Sequence, residues 1–176
     1  ERMRGDPVSF EMCGTGPELE NIKKIVKEKD LKNVEVRGYI QEEEKKAILR
    51  ESWLFIYPAK ADTFGLSVFE SLSSGIPVIV SNKFPVKEDT ISIVYADFKN
   101  IEIIRKEIME IYSNDDLYSS MREEARSIVE KRYSVENHID SLLSIYTEMI
   151  KDPEYDVAMA NTSKTKKHIT DSKNKF

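Results

Sequence analysis

Short apolar runs alternate with amphipathic stretches from Ser9 onward, the pattern of a parallel sheet covered by helices on both faces. Ser9–Cys13 reads as a first strand. Gly14-Thr15-Gly16-Pro17 then turns the chain, and Pro17 suits a first helical position, where its missing N–H has no partner in any case. The helix that follows carries Leu19, Ile22 and Val26 on one face. Val34-Glu35-Val36 forms a second strand ending at Gly38. Gln41–Glu44 followed by Lys45 and Lys46 then places acid at a helix start and base further along, as the helix dipole favours. Trp53–Tyr57 is a continuous apolar run closed by Pro58, as expected of a strand buried on both faces near the sheet centre.

A helix from about Gly65 to Ser74 stops at Gly75 and delivers Pro77–Val80, a further buried strand, and Ile91–Tyr95 reads as another. Three helices follow. Ile101, Ile104 and Ile108 mark the apolar face of the first, and Leu117, Met121, Ala125 and Ile128 that of the second. The last carries Val135, Ile139, Leu142, Tyr146 and Met149, with Ser134 as a ready N-cap. From Lys151 the periodicity stops, and Asn161–Phe176 is rich in Lys, Ser, Thr and Asn. The expected organisation is an N-terminal remnant over 1–8, one α/β domain over 9–150 and a polar, disordered tail over 151–176.

Composition narrows this picture by exclusion. Of 176 residues 40% are hydrophobic, enough for one sizeable core. With 27 Lys plus Arg against 32 Asp plus Glu, the net charge of -5 repels a nucleic-acid backbone. No apolar run approaches the roughly 20 residues of a membrane span, and Glu1-Arg2-Met3-Arg4-Gly5 has no apolar signal region, so a cytoplasmic protein is expected. The tail lysines allow contact at the cytoplasmic face of an anionic membrane, although a solvating tail is the commoner role. One cysteine excludes a disulfide framework, and Cys13 in its apolar strand reads as a small buried thiol. His138 and His168, both read as solvated, leave little from which to build a metal site.

The informative stretch runs from Asp62 to Ile79. A buried strand leads through a short loop into a helix that opens at Gly65, where backbone N–H groups face a ligand at the carboxyl edge of the sheet. The helix N-terminus favours an anion, and glycine lets phosphate oxygens approach the backbone. Glu70, one turn beyond Leu66 and beside Phe69, falls near the apolar face, where a carboxylate needs a partner such as two ribose hydroxyls. Taken singly, Asp62 as an N-cap, Glu70 as a structural ion-pair member and Gly65 as a packing glycine are the favoured readings.

In combination these residues resemble glycosyltransferase family 4, retaining enzymes of GT-B fold. Their hallmark is two acidic residues separated by seven others around Phe-Gly-Leu, followed by Gly-x-Pro-Val-Val. Here Asp62 and Glu70 stand at that spacing, with Phe64-Gly65-Leu66 between them and Gly75-Ile76-Pro77-Val78-Ile79 after them. Cys13-Gly14-Thr15-Gly16-Pro17 is similar to the family's glycine turn and Val34–Ile40 to its base-side strand and loop, so the likeness covers Ser9–Ile150. The resemblance implies a Rossmann-like domain, the C-terminal half of a GT-B fold, that binds a UDP- or GDP-sugar and takes part in hexosyl transfer to a saccharide, lipid or other acceptor. It gives Asp62 the transferred sugar and Glu70 the ribose. Thr63, Phe64, Gly65 and Leu66 supply donor contacts, Tyr39 and Ile40 flank the base, and Gly14 and Gly16 form the glycine turn. No cofactor and no metal are expected.

Three departures qualify these expectations. Asp62 is one methylene shorter than the more usual Glu. The loop Ser81–Glu88 has no glycine, where the family has a glycine-rich loop with Pro-Glu. The eight residues before Ser9 cannot hold the family's preceding strand, basic diphosphate clamp and helix, nor the acceptor domain, so a domain fragment inactive by itself is expected. A non-catalytic module that binds a partner chain is the alternative, and an epimerase or phosphorylase of related architecture fits the acid pair less well. A dinucleotide fingerprint fails because Leu19 stands where a third small residue is needed.

Overall fold

Among the described residues, two strands and two helices make up the first of two compact units, and the chain passes from one unit to the other between Leu54 and Phe55. The computed structural model describes residues 8–151, so the segments 1–7 and 152–176, with most of the expected remnant and tail, lie outside the described residues. In the first unit, β1 (Phe10–Cys13) pairs in parallel with β2 (Val34–Gly38), Phe10 opposite Val34 and Cys13 opposite Gly38. Parallel pairing demands a crossover, supplied by α1 (Leu19–Glu28). Its Leu19, Ile22 and Val26 are half-buried, as their spacing predicts. Pro17 lies in the turn before α1 instead of at its first position, because the Leu19 N–H donates to the Gly16 carbonyl at 3.1 Å and closes a turn around Pro17 and Glu18. After β2 comes α2 (Glu42–Glu51), with Glu42–Glu44 in its first turn and Arg50 in its last.

Cys13 corrects an expectation. It is exposed, as is all of β1, because a two-stranded sheet leaves much of each strand open. Partial desolvation of the sulfur and the nearby charge of Glu11 still push its thiol up, which disfavours the thiolate.

The second unit holds a three-stranded parallel sheet in the order β3 (Phe55–Tyr57), β4 (Val78–Ser81), β5 (Ile93–Ala96). The central strand is β4, buried throughout. β3 lies to one side and is half-buried, contrary to the central place expected from its apolar run, since such a run reports burial without reporting strand order. The crossover helix is α3 (Leu66–Ser73). It ends in a Schellman turn: Gly75, at φ 73°, donates to the Leu72 carbonyl at 2.9 Å, and Ile76 donates to Ser71 at 3.1 Å. Val68, Phe69 and Leu72 of α3, Val78 and Val80 of β4, Phe84, Ile93 and Ala125 form the core.

Three helices follow the sheet: α4 (Ile101–Ser113), α5 (Asp115–Arg132) and α6 (Val135–Lys151). Each has a side-chain cap. Asn100 accepts from Ile103 N–H at 3.3 Å, Asn114 from Leu117 N–H at 3.0 Å, and Ser134, as predicted, from Asn137 N–H at 3.2 Å. Met121, Ala125 and Ile128 of α5 are buried. On α6 only Leu142 is half-buried, while Val135, Ile139, Tyr146 and Met149 are exposed, as is Ile101 on α4. Periodicity fixes which residues share a face but not whether a neighbour covers it.

Leu72, fully buried between α3 and the sheet, should cost about 2–5 kcal/mol when changed to alanine, whereas Ile139→Ala on the open face of α6 should cost under about 0.5 kcal/mol. Urea unfolding of the two variants checks the difference.

Candidate functional site

β3 ends at Tyr57, Pro58 turns the chain, and the loop re-enters helix at Leu66. The start of α3 thereby falls beyond the carboxyl end of a parallel strand, where open α/β sheets bind ligands. Gly65 makes the entry. It is left-handed, with φ 80° and ψ 55°, and a Cβ there would sit 2.9 Å from Phe84 Cζ and closer still to Cε2. Only glycine meets both conditions. The bare side of Gly65 therefore faces the buried ring of Phe84, so packing explains the glycine without appeal to a phosphate.

Asp62 organises the loop. Its Oδ1 accepts from the backbone N–H groups of Phe64 and Gly65, each at 3.0 Å, and its Oδ2 accepts from the Tyr57 hydroxyl. These bonds, that from Tyr57 first, hold the exposed Asp62 carboxyl below the usual carboxylate range, and the same bond pushes the Tyr57 phenol up. Two amides expected to stand open for a ligand are thus taken by a side chain of the protein. The amides of Leu66 and Ser67, in the first turn, have no intrahelical acceptor.

Aromatic packing holds the arrangement from behind. The Tyr57 ring stacks on Phe55 with centroids 6.0 Å apart and meets Phe84 edge-on at 6.1 Å. Phe64 stacks on Phe69 at 4.6 Å, and Tyr133 closes on Phe69 at 4.4 Å. The Tyr133 hydroxyl donates to Glu88, which is also paired with Arg132 and whose side chain is only 6% exposed. Burial, then Glu88, pushes the Tyr133 phenol up to about 12. The glycine-free loop after β4 is therefore pinned by Phe84 and Glu88.

Of the residues predicted to form the site, Asp62, Thr63, Phe64, Gly65, Leu66 and Glu70 lie together on this loop and helix in the second unit. Thr63 and Leu66 are exposed and Glu70 is half-buried. The others lie in the first unit. There the Gly14 N–H donates to the Gly38 carbonyl at 2.6 Å, Gly14 and Gly16 line a cleft of about 260 Å³, and next to Gly38 stand Tyr39, 72% exposed, and half-buried Ile40. Sequence reasoning missed Tyr57, Ser67 and Phe84. A hydroxyl at the carboxyl end of an apolar run was a usable signal for Tyr57; nothing local marks Phe84.

The family model described as Glycosyl transferases group 1 matches residues 1–128. The poly(glycerol-phosphate) alpha-glucosyltransferase of Bacillus subtilis (strain 168) is 27% identical over 148 residues, covering 81% of this chain and 21% of its own length. Among solved structures, that of TarM superposes with a TM-score of 0.69 at 24% identity, covering 81% of this chain and 29% of TarM. The Anabaena HepE protein in complex with UDP-glucose gives a TM-score of 0.65 at 16% identity over 78% of this chain and 41% of HepE. Both share the α/β fold. The chain spans 21% to 37% of the length of the first two curated relatives it matches.

Gly65→Ala should destabilise the protein by about 1–2 kcal/mol through its left-handed φ and by a further roughly 1–3 kcal/mol through the clash with Phe84. In a double-mutant cycle measured by urea unfolding, Phe84→Leu should relieve the second part and leave the first. Asp62 has a depressed folded-state pKa, so its contribution is present above the ordinary carboxylate range and is lost as pH falls through the folded value. Asp62→Asn should accordingly flatten the acid limb of a plot of stability against pH.

Proposed function

The chain belongs to the group 1 glycosyl transferases, and from that premise we propose that its second unit binds the diphosphate and sugar of a nucleoside diphosphate sugar. The parent reaction is then transfer of a hexosyl group, with retention, to a saccharide, lipid or other acceptor. The observation that carries this reading is the helix start at the carboxyl end of β3, with an anchored carboxylate at Asp62 before it and half-buried Glu70 one turn inside it. The positive end of α3 and the Leu66 and Ser67 amides favour a diphosphate, and an ionised Glu70 accepts from two ribose hydroxyls. Departure of the diphosphate is stabilised electrostatically, and the scheme calls for no metal. Acceptor binding is assigned to a partner domain, in line with the share of its relatives that the chain spans.

In the first unit, the reading gives Gly14 and Gly16 the glycine-turn role and Tyr39 and Ile40 the faces beside the base. The exposed apolar stripe of α6 favours a second reading, a module that binds a partner chain without binding a donor. That alternative requires no nucleotide-sugar affinity.

Isothermal titration of the purified chain with UDP-glucose and GDP-mannose should show binding of one of them. Glu70→Ala should weaken it by about 10-fold to 100-fold, the worth of one or two charge-assisted hydrogen bonds. Binding that is absent, or indifferent to Glu70→Ala, would overturn the donor-site reading.

A further inference from the structure

We propose that Tyr57 is a positioning residue for the donor sugar, which by donating to Asp62 Oδ2 fixes the direction in which that carboxylate meets a sugar hydroxyl. The inference rests on the donor-site reading of Asp62 and goes beyond it by naming the group that decides how Asp62 meets a sugar.

A carboxylate offers about four acceptor positions, two on each oxygen. On Asp62 the two of Oδ1 are filled by the Phe64 and Gly65 amides at 3.0 Å. One on Oδ2 is filled by Tyr57. The Thr63 amide adds a weaker bond, and the direction in which Oδ2 faces a ligand is set by these donors together. Each of those bonds comes from a group that is itself held. The amides belong to the helix entry fixed by Gly65 against Phe84, and the phenol ring lies between Phe55 and Phe84. The Ser67 hydroxyl, from the first turn of α3, bonds the phenol oxygen in turn, so the phenol proton is committed to Asp62. A short acid could otherwise rotate about its last torsion, which is broad for Asp. Tyr57 removes that freedom, so one sugar hydroxyl of the right orientation is accepted and its epimer is not.

A purely supporting role for Tyr57 makes a different prediction. If the phenol only stiffens the loop, its removal weakens the bare nucleotide and the sugar nucleotide together, since both use the start of α3. If it aims Asp62, removal acts on the sugar alone.

The test compares wild-type protein with Tyr57→Phe by isothermal titration against UDP, UDP-glucose and UDP-galactose, or against GDP and GDP-mannose with its epimer GDP-glucose where the protein prefers guanine. Expected for Tyr57→Phe is nucleoside diphosphate affinity within about twofold of wild type, sugar-nucleotide affinity shifted by about threefold to tenfold, and a smaller gap between the two epimers. Ser67→Ala, which removes the upstream hydroxyl and leaves the ring, should move the same ratio in the same direction to a lesser extent, and serves if Tyr57→Phe does not fold. Equal shifts for nucleotide and sugar nucleotide, or no shift in either, overturn the proposal while the donor site stands, provided that Glu70→Ala still weakens the nucleotide. Wild-type protein that binds no nucleoside diphosphate overturns the donor site and this inference with it.

Discussion

Gly65 can take its left-handed φ of 80° and lie against the ring of Phe84 only because it has no side chain, and the second unit's loop geometry follows from that contact. The left-handed turn brings the Gly65 and Phe64 amides round to one point, where the Asp62 Oδ1 receives both. The same Phe84 ring, 2% exposed, meets Tyr57 edge-on and so fixes the phenol that binds Oδ2. One buried aromatic side chain from the loop after β4 thus sets these three donors of a carboxylate that lies more than twenty positions earlier. The contact is steric, and interiors packed at crystal-like density transmit steric constraints with little loss.

The second acidic centre of the loop region is held by other physics. Asp62 is exposed and keeps its charge through hydrogen bonds in a medium where water is an alternative partner. The Glu88 carboxylate is almost wholly buried, and there an unpaired charge would be expensive, so Arg132 and Tyr133 both serve it. Through the Tyr133 ring, which packs on Phe69 and edge-on to Phe64, the buried pair also steadies the segment that carries Asp62. Phe84 and Glu88 therefore do for a glycine-free loop what backbone turns would do elsewhere: they hold it by side chains driven into the core.

Much of this was legible in the sequence. The β3–loop–α3–β4 unit announced itself through Pro58, Gly65, Gly75 and Pro77, and the structure places a left-handed entry and a Schellman exit at the two glycines. Ser134 as a cap and Met121, Ala125 and Ile128 as a buried face were readable because capping and helical periodicity are local rules. What could not be read depends on partners distant in the chain. The side position of β3, the exposure of Cys13 and the open stripe of α6 are facts about which neighbours exist, and a run of apolar residues looks the same with or without them. Phe84 is the plainest case, a single aromatic in a polar loop whose meaning lies in a glycine nineteen positions away.

The N-cap of α3 is Gly65 and not Asp62, whose carboxylate instead holds the loop just before the helix. A carboxylate at the positive end of α3 acts as an internal anion, and by satisfying the Phe64 and Gly65 amides it removes them from the set a diphosphate could use. The donors left at that end are the Leu66 and Ser67 amides, one step further into the helix. An anion bound there lies beside a charge already in place, so repulsion, weakened by solvent around the exposed Asp62, works against it and further positive charge would offset it. On the donor-site reading, the carboxylate's structural bonds are the condition of its chemical use: donors from Tyr57, Phe64 and Gly65 hold it still, and its remaining side is worth aiming because they do.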